Sequence, residues 1–224
     1  MKIIISVTND LVSDYRVHRT ALTLQQKCGM EVVLAGRILS KSPPLENRPY
    51  KTIRFRIPIE KGPLFYILYT ITLFVYLLFQ KYDLLWANDP DTLPAVYLAS
   101  RVRRKKFIAD FHELFTEVPE LIGRKGVRAV WRWIEKSMLP ASSASFTVCQ
   151  SIANHYNQAY GLNMRVLRNL PERLSMDNIP SVPQQFEGKK IIVYQGVVNT
   201  GRGLEKMIRA MAFLENALFI IIGD

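Results

Sequence analysis

The stretch Lys106-Phe107-Ile108-Ala109-Asp110-Phe111-His112-Glu113 is a short apolar run that stops at ionisable side chains. Tyr82-Asp83-Leu84-Leu85-Trp86-Ala87-Asn88-Asp89 repeats the pattern upstream, its apolar residues ending at an amide and a carboxylate. In an open parallel sheet, ligands sit just beyond the carboxyl ends of the strands. Two neighbouring strands ending this way put Asn88, Asp89, His112 and Glu113 on one rim, which becomes the expected working face.

Working outward, Lys2 to Val7 reads as a first buried strand, followed by the loop Thr8 to Arg16 and a helix over Val17 to Lys27 that Gly29 closes. Strands are expected at Glu31 to Gly36 and Lys51 to Ile57, then at Asp83 to Ala87, followed by a helix over Asp91 to Val102. Beyond the His-Glu strand come a helix over Lys125 to Leu139, a strand at Ser145 to Cys149, a helix N-capped by Ser151 and closed by Gly161, and a last strand at Arg165 to Arg168. This alternation predicts an α/β fold with a parallel sheet, Rossmann-like, over 1–170. Residues 171–188, with Pro171, Pro180 and Pro183, read as a linker. A second Rossmann-like unit begins at 189: strand Lys190 to Gln195, a glycine-rich loop from Gly196 to Gly203, helix Leu204 to Leu214 and strand Leu218 to Ile222. Two strands and one helix do not close a core, so 189–224 is expected to be the incomplete start of a second domain and the fragment 1–224 to be inactive.

The chain carries a formal net charge of +11 with 49% hydrophobic residues. That balance describes a folded protein with anionic partners. No RNA-binding or zinc-finger pattern accompanies it, so specific nucleic-acid recognition is not expected. Cys28 and Cys149 lack metal-ligand spacing and suggest buried thiols in a reducing compartment. Leu64 to Phe79 contains no charged residue. As a helix it covers roughly 24 Å, short of the roughly 30 Å hydrocarbon core. The strands on either side must also join one sheet, so it is expected to be a crossover helix, buried or dipped into an interface. Arg124, Arg128, Arg132 and Lys136 recur every four residues beside the apolar face Val127, Val130, Trp131, Ile134 and Met138. This suits a helix lying on an anionic membrane surface and equally a core helix with a solvated basic side.

These elements, in this order, resemble the GT-B glycosyltransferases of family 4, which use nucleotide-sugar donors. The carriers are Tyr82 through Asp89, Asp110-Phe111-His112-Glu113, Arg168-Asn169, Tyr194-Gln195-Gly196, Gly201-Arg202-Gly203-Leu204 and Ile220-Ile221-Ile222-Gly223-Asp224. The resemblance implies an N-terminal domain for the acceptor and a C-terminal domain for the nucleotide. It implies His112 as the catalytic histidine near the donor sugar, and Arg202 with Gly196, Gly201 and Gly203 as the donor-diphosphate loop. It also implies transfer of a hexose with retention, no cofactor and no metal: a cation and backbone amides suffice for the charge gathering on the departing diphosphate. The sequence departs from the family in three places. The loop after strand one, Thr8 to Arg16, has no glycine; Val197 stands where a second basic residue is usual; and the acidic donor motif falls beyond Asp224.

That glycine-free loop leaves Asn9, Asp10, Asp14 and Arg16 as acceptor-side candidates, together with Asn88, Asp89 and Glu113. Carboxylates repel a diphosphate and suit acceptor hydroxyls; Asp14 is equally a helix cap, and Asn88-Asp89 before Pro90 equally a turn. The reading is a cytoplasmic transferase, peripheral on the inner face of the cell membrane through the 124–139 helix and the 64–79 segment. It acts on a lipid-linked or cell-surface glycan in polysaccharide biosynthesis. The alternatives are a non-catalytic basic scaffold module and a nucleotide-sugar epimerase on the same fold.

Overall fold

Alternation in the first strand sets the layering. β1 (Lys2–Asp10) sends Ile3, Ile5 and Val7 to one face and Ile4 to the other, all of them buried. The structure is a computed structural model that describes residues 1–170 and 183–223. It divides into two units, Met1–Leu170 and Pro171–Asp224; most of the expected linker, 171–182, lies outside the described residues.

In the first unit β1 is followed by α1 (Tyr15–Gln26), β2 (Glu31–Ile38), β3 (Lys51–Arg56), α2 (Pro63–Phe79), β4 (Leu84–Asn88), α3 (Asp89–Arg103), β5 (Lys106–Phe111), α4 (Lys125–Met138), β6 (Ala144–Thr147), α5 (Gln150–Tyr160) and β7 (Arg165–Val166). The seven strands form one sheet in the order β3-β2-β1-β4-β5-β6-β7, and each neighbouring pair is parallel. From β1 the chain winds one way to β2 and β3, then returns to β1's other side with β4. That reversal is the switch point at which ligands bind.

One face of the sheet packs against α2 through α5, with Phe65, Tyr69, Leu73 and Leu77 forming the inner stripe of α2. The Tyr69 hydroxyl donates to the Val7 carbonyl at 2.5 Å, pinning α2 beneath the end of β1. The other face is covered by α1 through Val17 and Ala21. Among the described residues no helix is long and apolar enough to cross a membrane. The 64–79 segment is the crossover helix α2, apolar on its outer side as well: Leu64, Ile67, Ile71 and Val75 are exposed.

Several expectations need correction. Cys28 is exposed and Cys149 partly so; Cys28 lies in the turn past the C-cap of α1 and not on the helix's inner side. Cys149, not Ser151, occupies the N-cap of α5, without a side-chain cap bond. β7 is two residues long, and α6 (Leu204–Ala210) ends before a 3-10 turn at Met211–Phe213. The supposed continuous apolar face of α4 splits. Trp131 and Ile134 are buried with Glu135, whereas Val127 and Val130 are exposed. The basic stripe is partly neutralised, since Glu117 accepts from Arg128 and, at 2.8 Å, from Arg132.

The second unit contains β8 (Lys190–Gln195), α6 and β9 (Ala217–Ile222), with β8 and β9 parallel.

Candidate active site

β1 does not stop at Val7. It runs to Asp10, and its pairing with β2 slips between Ser6 and Asp10, leaving extra residues on β1. Bulges of this kind re-aim side chains beside sites. Room for the turn comes from Gly36 on β2: a Cβ there would lie 2.4 Å from Leu11 Cδ2 and 2.9 Å from the Asn9 carbonyl oxygen.

The β4 and β5 ends meet through Asp89 and His112. Asp89 adopts φ 61°, a left-handed backbone that a non-glycine residue rarely takes. In this conformation its carboxylate accepts the His112 backbone N–H at 2.8 Å and lies 3.2 Å from His112 Nδ1. His112 Nε2 lies 3.5 Å from Asp110 Oδ2. Asp110 is wholly buried, and its other oxygen accepts from Arg16 at 2.9 Å. Behind them Thr8 donates to Asp91. Burial disfavours charge on His112, but the adjoining Asp110 and Asp89 carboxylates outweigh it and raise its pKa. Burial raises Asp89, and raises Asp91 to about 7 with Asp89's charge adding to the effect. Carboxylates outnumber cations in this cluster, so it retains a proton that an exposed site would release.

Beside His112 lies a cleft of about 410 Å³ lined by Asn9, Asp14, Arg16, Arg19 and Asn169, among others. Asn9 donates to Asp14 at 3.0 Å, while the other Asp14 oxygen caps α1 at the Val17 N–H. Arg19 donates to Asn169. Asn9, Asp14, Arg16 and His112 are therefore brought together. Asp10 and Asn88 are not presented in the same way. Asp10 is buried and holds Arg54 at 2.8 Å and the Val12 N–H, and Asn88 is buried and donates to the Ser6 carbonyl at 2.9 Å. Both tie the ends of strands together. Glu113 is exposed and turns away from this cleft to line a second, apolar groove. Asp110, Arg19 and Asp91 were not among the expected site residues; Asp110 was legible as the last carboxylate before the histidine, but Arg19 lies a helical turn beyond the loop. No group of His, Cys, Asp and Glu among the described residues is arranged to hold a metal ion.

In the second unit Gly201 and Gly203 take positive φ values of 88° and 78°, and Gly203 leads into α6 with Arg202 exposed between them. A Cβ on Gly223 would meet the Gly196 carbonyl oxygen at 1.8 Å, so the end of β9 approaches this loop as only glycine permits.

The parallel sheet and its flanking helices match the fold of the GT-B glycosyltransferases. Sucrose-phosphate synthase from Thermosynechococcus elongatus superposes with a TM-score of 0.73 at 18% identity, covering 100% of this chain and 62% of that one. Anabaena HepE in complex with UDP and glucose gives 0.65 at 16% identity, covering 100% and 61%. The lipopolysaccharide outer core galactosyltransferase WaaB gives 0.61 at 12%, covering 100% and 61%. The chain thus spans less than two thirds of these structures. Residues 15–170 match the model of Glycosyltransferase Family 4, and the chain belongs to that family. No curated protein sequence matches it.

Proposed function

We propose that the protein transfers a hexose from a nucleotide-sugar donor to a lipid-linked or cell-surface glycan, with retention of configuration. The observation that carries this reading is the histidine at the end of β5, held by buried carboxylates at the switch point of a family 4 sheet. Its Nδ1 contact is the closer one, and the 3.5 Å contact of Nε2 is longer than an ordinary hydrogen bond. Nε2 is buried and has no hydrogen-bond partner among the described residues. The adjoining carboxylates raise the His112 pKa and so favour its cationic form, and positive charge near a departing diphosphate stabilises the transition state. Arg16 and Arg19 supply cations to a cleft in which carboxylates are otherwise in excess. Arg202, Gly196, Gly201 and Gly203 are assigned to the diphosphate, and Asn9, Asp14 and Asp89 to the acceptor side. Solved relatives of the fold carry UDP or UDP-glucose, which makes these the first donors to try. The exposed apolar side of α2 and the cations of α4 support a peripheral position on the cytoplasmic face of a membrane.

In the full-length protein, His112→Ala is expected to lower transfer by ~10²–10³ while leaving the fold intact. Wild-type rates in that variant would remove His112 from the mechanism. Binding to anionic vesicles should exceed binding to neutral ones; equal, negligible binding refutes the membrane position.

A second reading has its own observation. One structural neighbour is assigned as a UDP-N-acetylglucosamine 2-epimerase from Listeria monocytogenes, with a TM-score of 0.59 at 10% identity. An epimerase needs no acceptor, so a changed sugar on incubation with one nucleotide sugar alone would favour it.

A further inference from the structure

A groove of about 690 Å³ runs between α2, α3 and α4. Its walls are Ile67 and Ile71 of α2, Phe115 of the turn after β5, and Val130, Trp131 and Ile134 of α4. The volume lies within the range of small-molecule sites, and such sites are mostly apolar with a few placed polar groups. Here the polar groups include Asp91 and Glu113. Asp91 stands two residues after Asp89 in the first turn of α3 and Glu113 follows His112 directly, so the groove adjoins the rim that His112 occupies.

Apolar surface continues beyond the groove. Leu64 and Val75 extend it along α2, and Trp133 on α4 is 61% exposed. An apolar patch of this extent marks an interaction surface. The border identifies the partner. Arg124 at the N-cap of α4 lines the groove, Lys125 and Lys136 on α4 are exposed, and the chain as a whole carries +11. An apolar face fringed by cations and an indole complements a lipid bearing an anionic headgroup, whereas a peptide helix in an apolar groove needs no such fringe.

We infer that the groove holds the apolar chain of a lipid-borne acceptor, laid between α2 and α4 with its sugar-accepting hydroxyl at the rim beside His112. Asp91 and Glu113 suit hydroxyls at that end, and the exposed Glu113 repels phosphate; an anionic group on the same lipid belongs toward Arg124. The acceptor role rests on the transferase reading, whereas binding of the chain is measurable without it.

The test uses the full-length protein carrying Trp133→Phe, in which Trp131 is the groove reporter. Dodecyl maltoside brominated on its alkyl chain, kept below its critical micelle concentration, is the probe. Saturable quenching of tryptophan fluorescence is expected, lost when Trp131 is also replaced by Phe. Ile71→Glu and Val130→Glu, at positions 54% and 55% exposed, are each expected to weaken the apparent affinity by about tenfold or more. Quenching that fails to saturate, or that both variants leave unchanged, overturns the chain site. So does a fall in oligomeric mass by light scattering in Val130→Glu without quenching in the parent, which makes the groove a contact between copies. Transfer to a short water-soluble acceptor is assayed in parallel. Retained transfer with no quenching sinks the groove alone; quenching with no transfer to any acceptor leaves the chain site standing and sinks the transferase reading.

Discussion

Asp91 is the side chain at which the rim's surplus negative charge is most readily measured. Its folded pKa is about 7, against about 3.9 for an exposed aspartate. A carboxyl raised by folding binds its proton more tightly in the native state. The resulting stability is complete below the unfolded value and is lost as pH rises through the folded one. His112 acts in the same direction, since its raised pKa adds stability below about 6.5 that is lost as pH rises above that. Stability should therefore fall between about pH 4 and pH 7 for the Asp91 contribution. Asp91→Asn keeps the shape, removes the titration and should flatten this slope in urea melts across that window. An unchanged slope would place the proton elsewhere. The sequence pointed to His112 and Glu113 because a strand's end is visible as a change from apolar to polar residues. The Arg16–Asp110 pair was not visible, because its partners are separated by 94 positions and meet only when β1 and β5 share a sheet.

At the scale of elements, α2 contrasts its two sides sharply. Leu73 is fully buried and Ile71, two residues earlier, is 54% exposed. Leu73→Ala should cost about 2–5 kcal/mol in denaturant unfolding, while Ile71→Ala should stay within about 0.5 kcal/mol. Equal costs would mean that the outer side is covered by something else. α4 and α5 are joined differently: the buried Glu135 carboxylate accepts from Tyr156 at 3.0 Å and from Tyr160 at 2.7 Å. Tyr156→Phe leaves that carboxyl one donor short and should cost about 1–3 kcal/mol. A helical repeat of cations and apolar residues located α4 but could not reveal this, because Glu135 reads as a surface residue until the tyrosines of the next helix arrive. The bulge that carries β1 through to Asp10 was equally hidden, since the glycine that makes room for it stands on β2.

For the whole molecule, the alternation of apolar runs with helical segments made the parallel sheet legible, because the central strands β1, β2 and β4 are buried on both faces and read as near-continuous apolar runs. The charge of +11 left two classes of anionic partner open, and ligand linkage separates them. A ligand that binds only the folded state stabilises it, by about 2.7 kcal/mol at a hundred times its dissociation constant. The full-length protein should therefore melt several degrees higher with saturating UDP-glucose or another nucleotide sugar, and a polynucleotide should not reproduce that rise. Stabilisation by polynucleotide alone, declining steeply with salt, would favour a scaffold module.

The doubly apolar character of α2 also bears on how the chain is made. Pro63–Phe79 leaves the ribosome before β4, α3 and β5, the elements that later shelter its inner side. Until those arrive, the nascent chain displays an uncharged helix that is oily all round, a species prone to self-association. Production of the protein should accordingly respond to chaperone supply or to a slower rate of synthesis more than to changes in the rim residues.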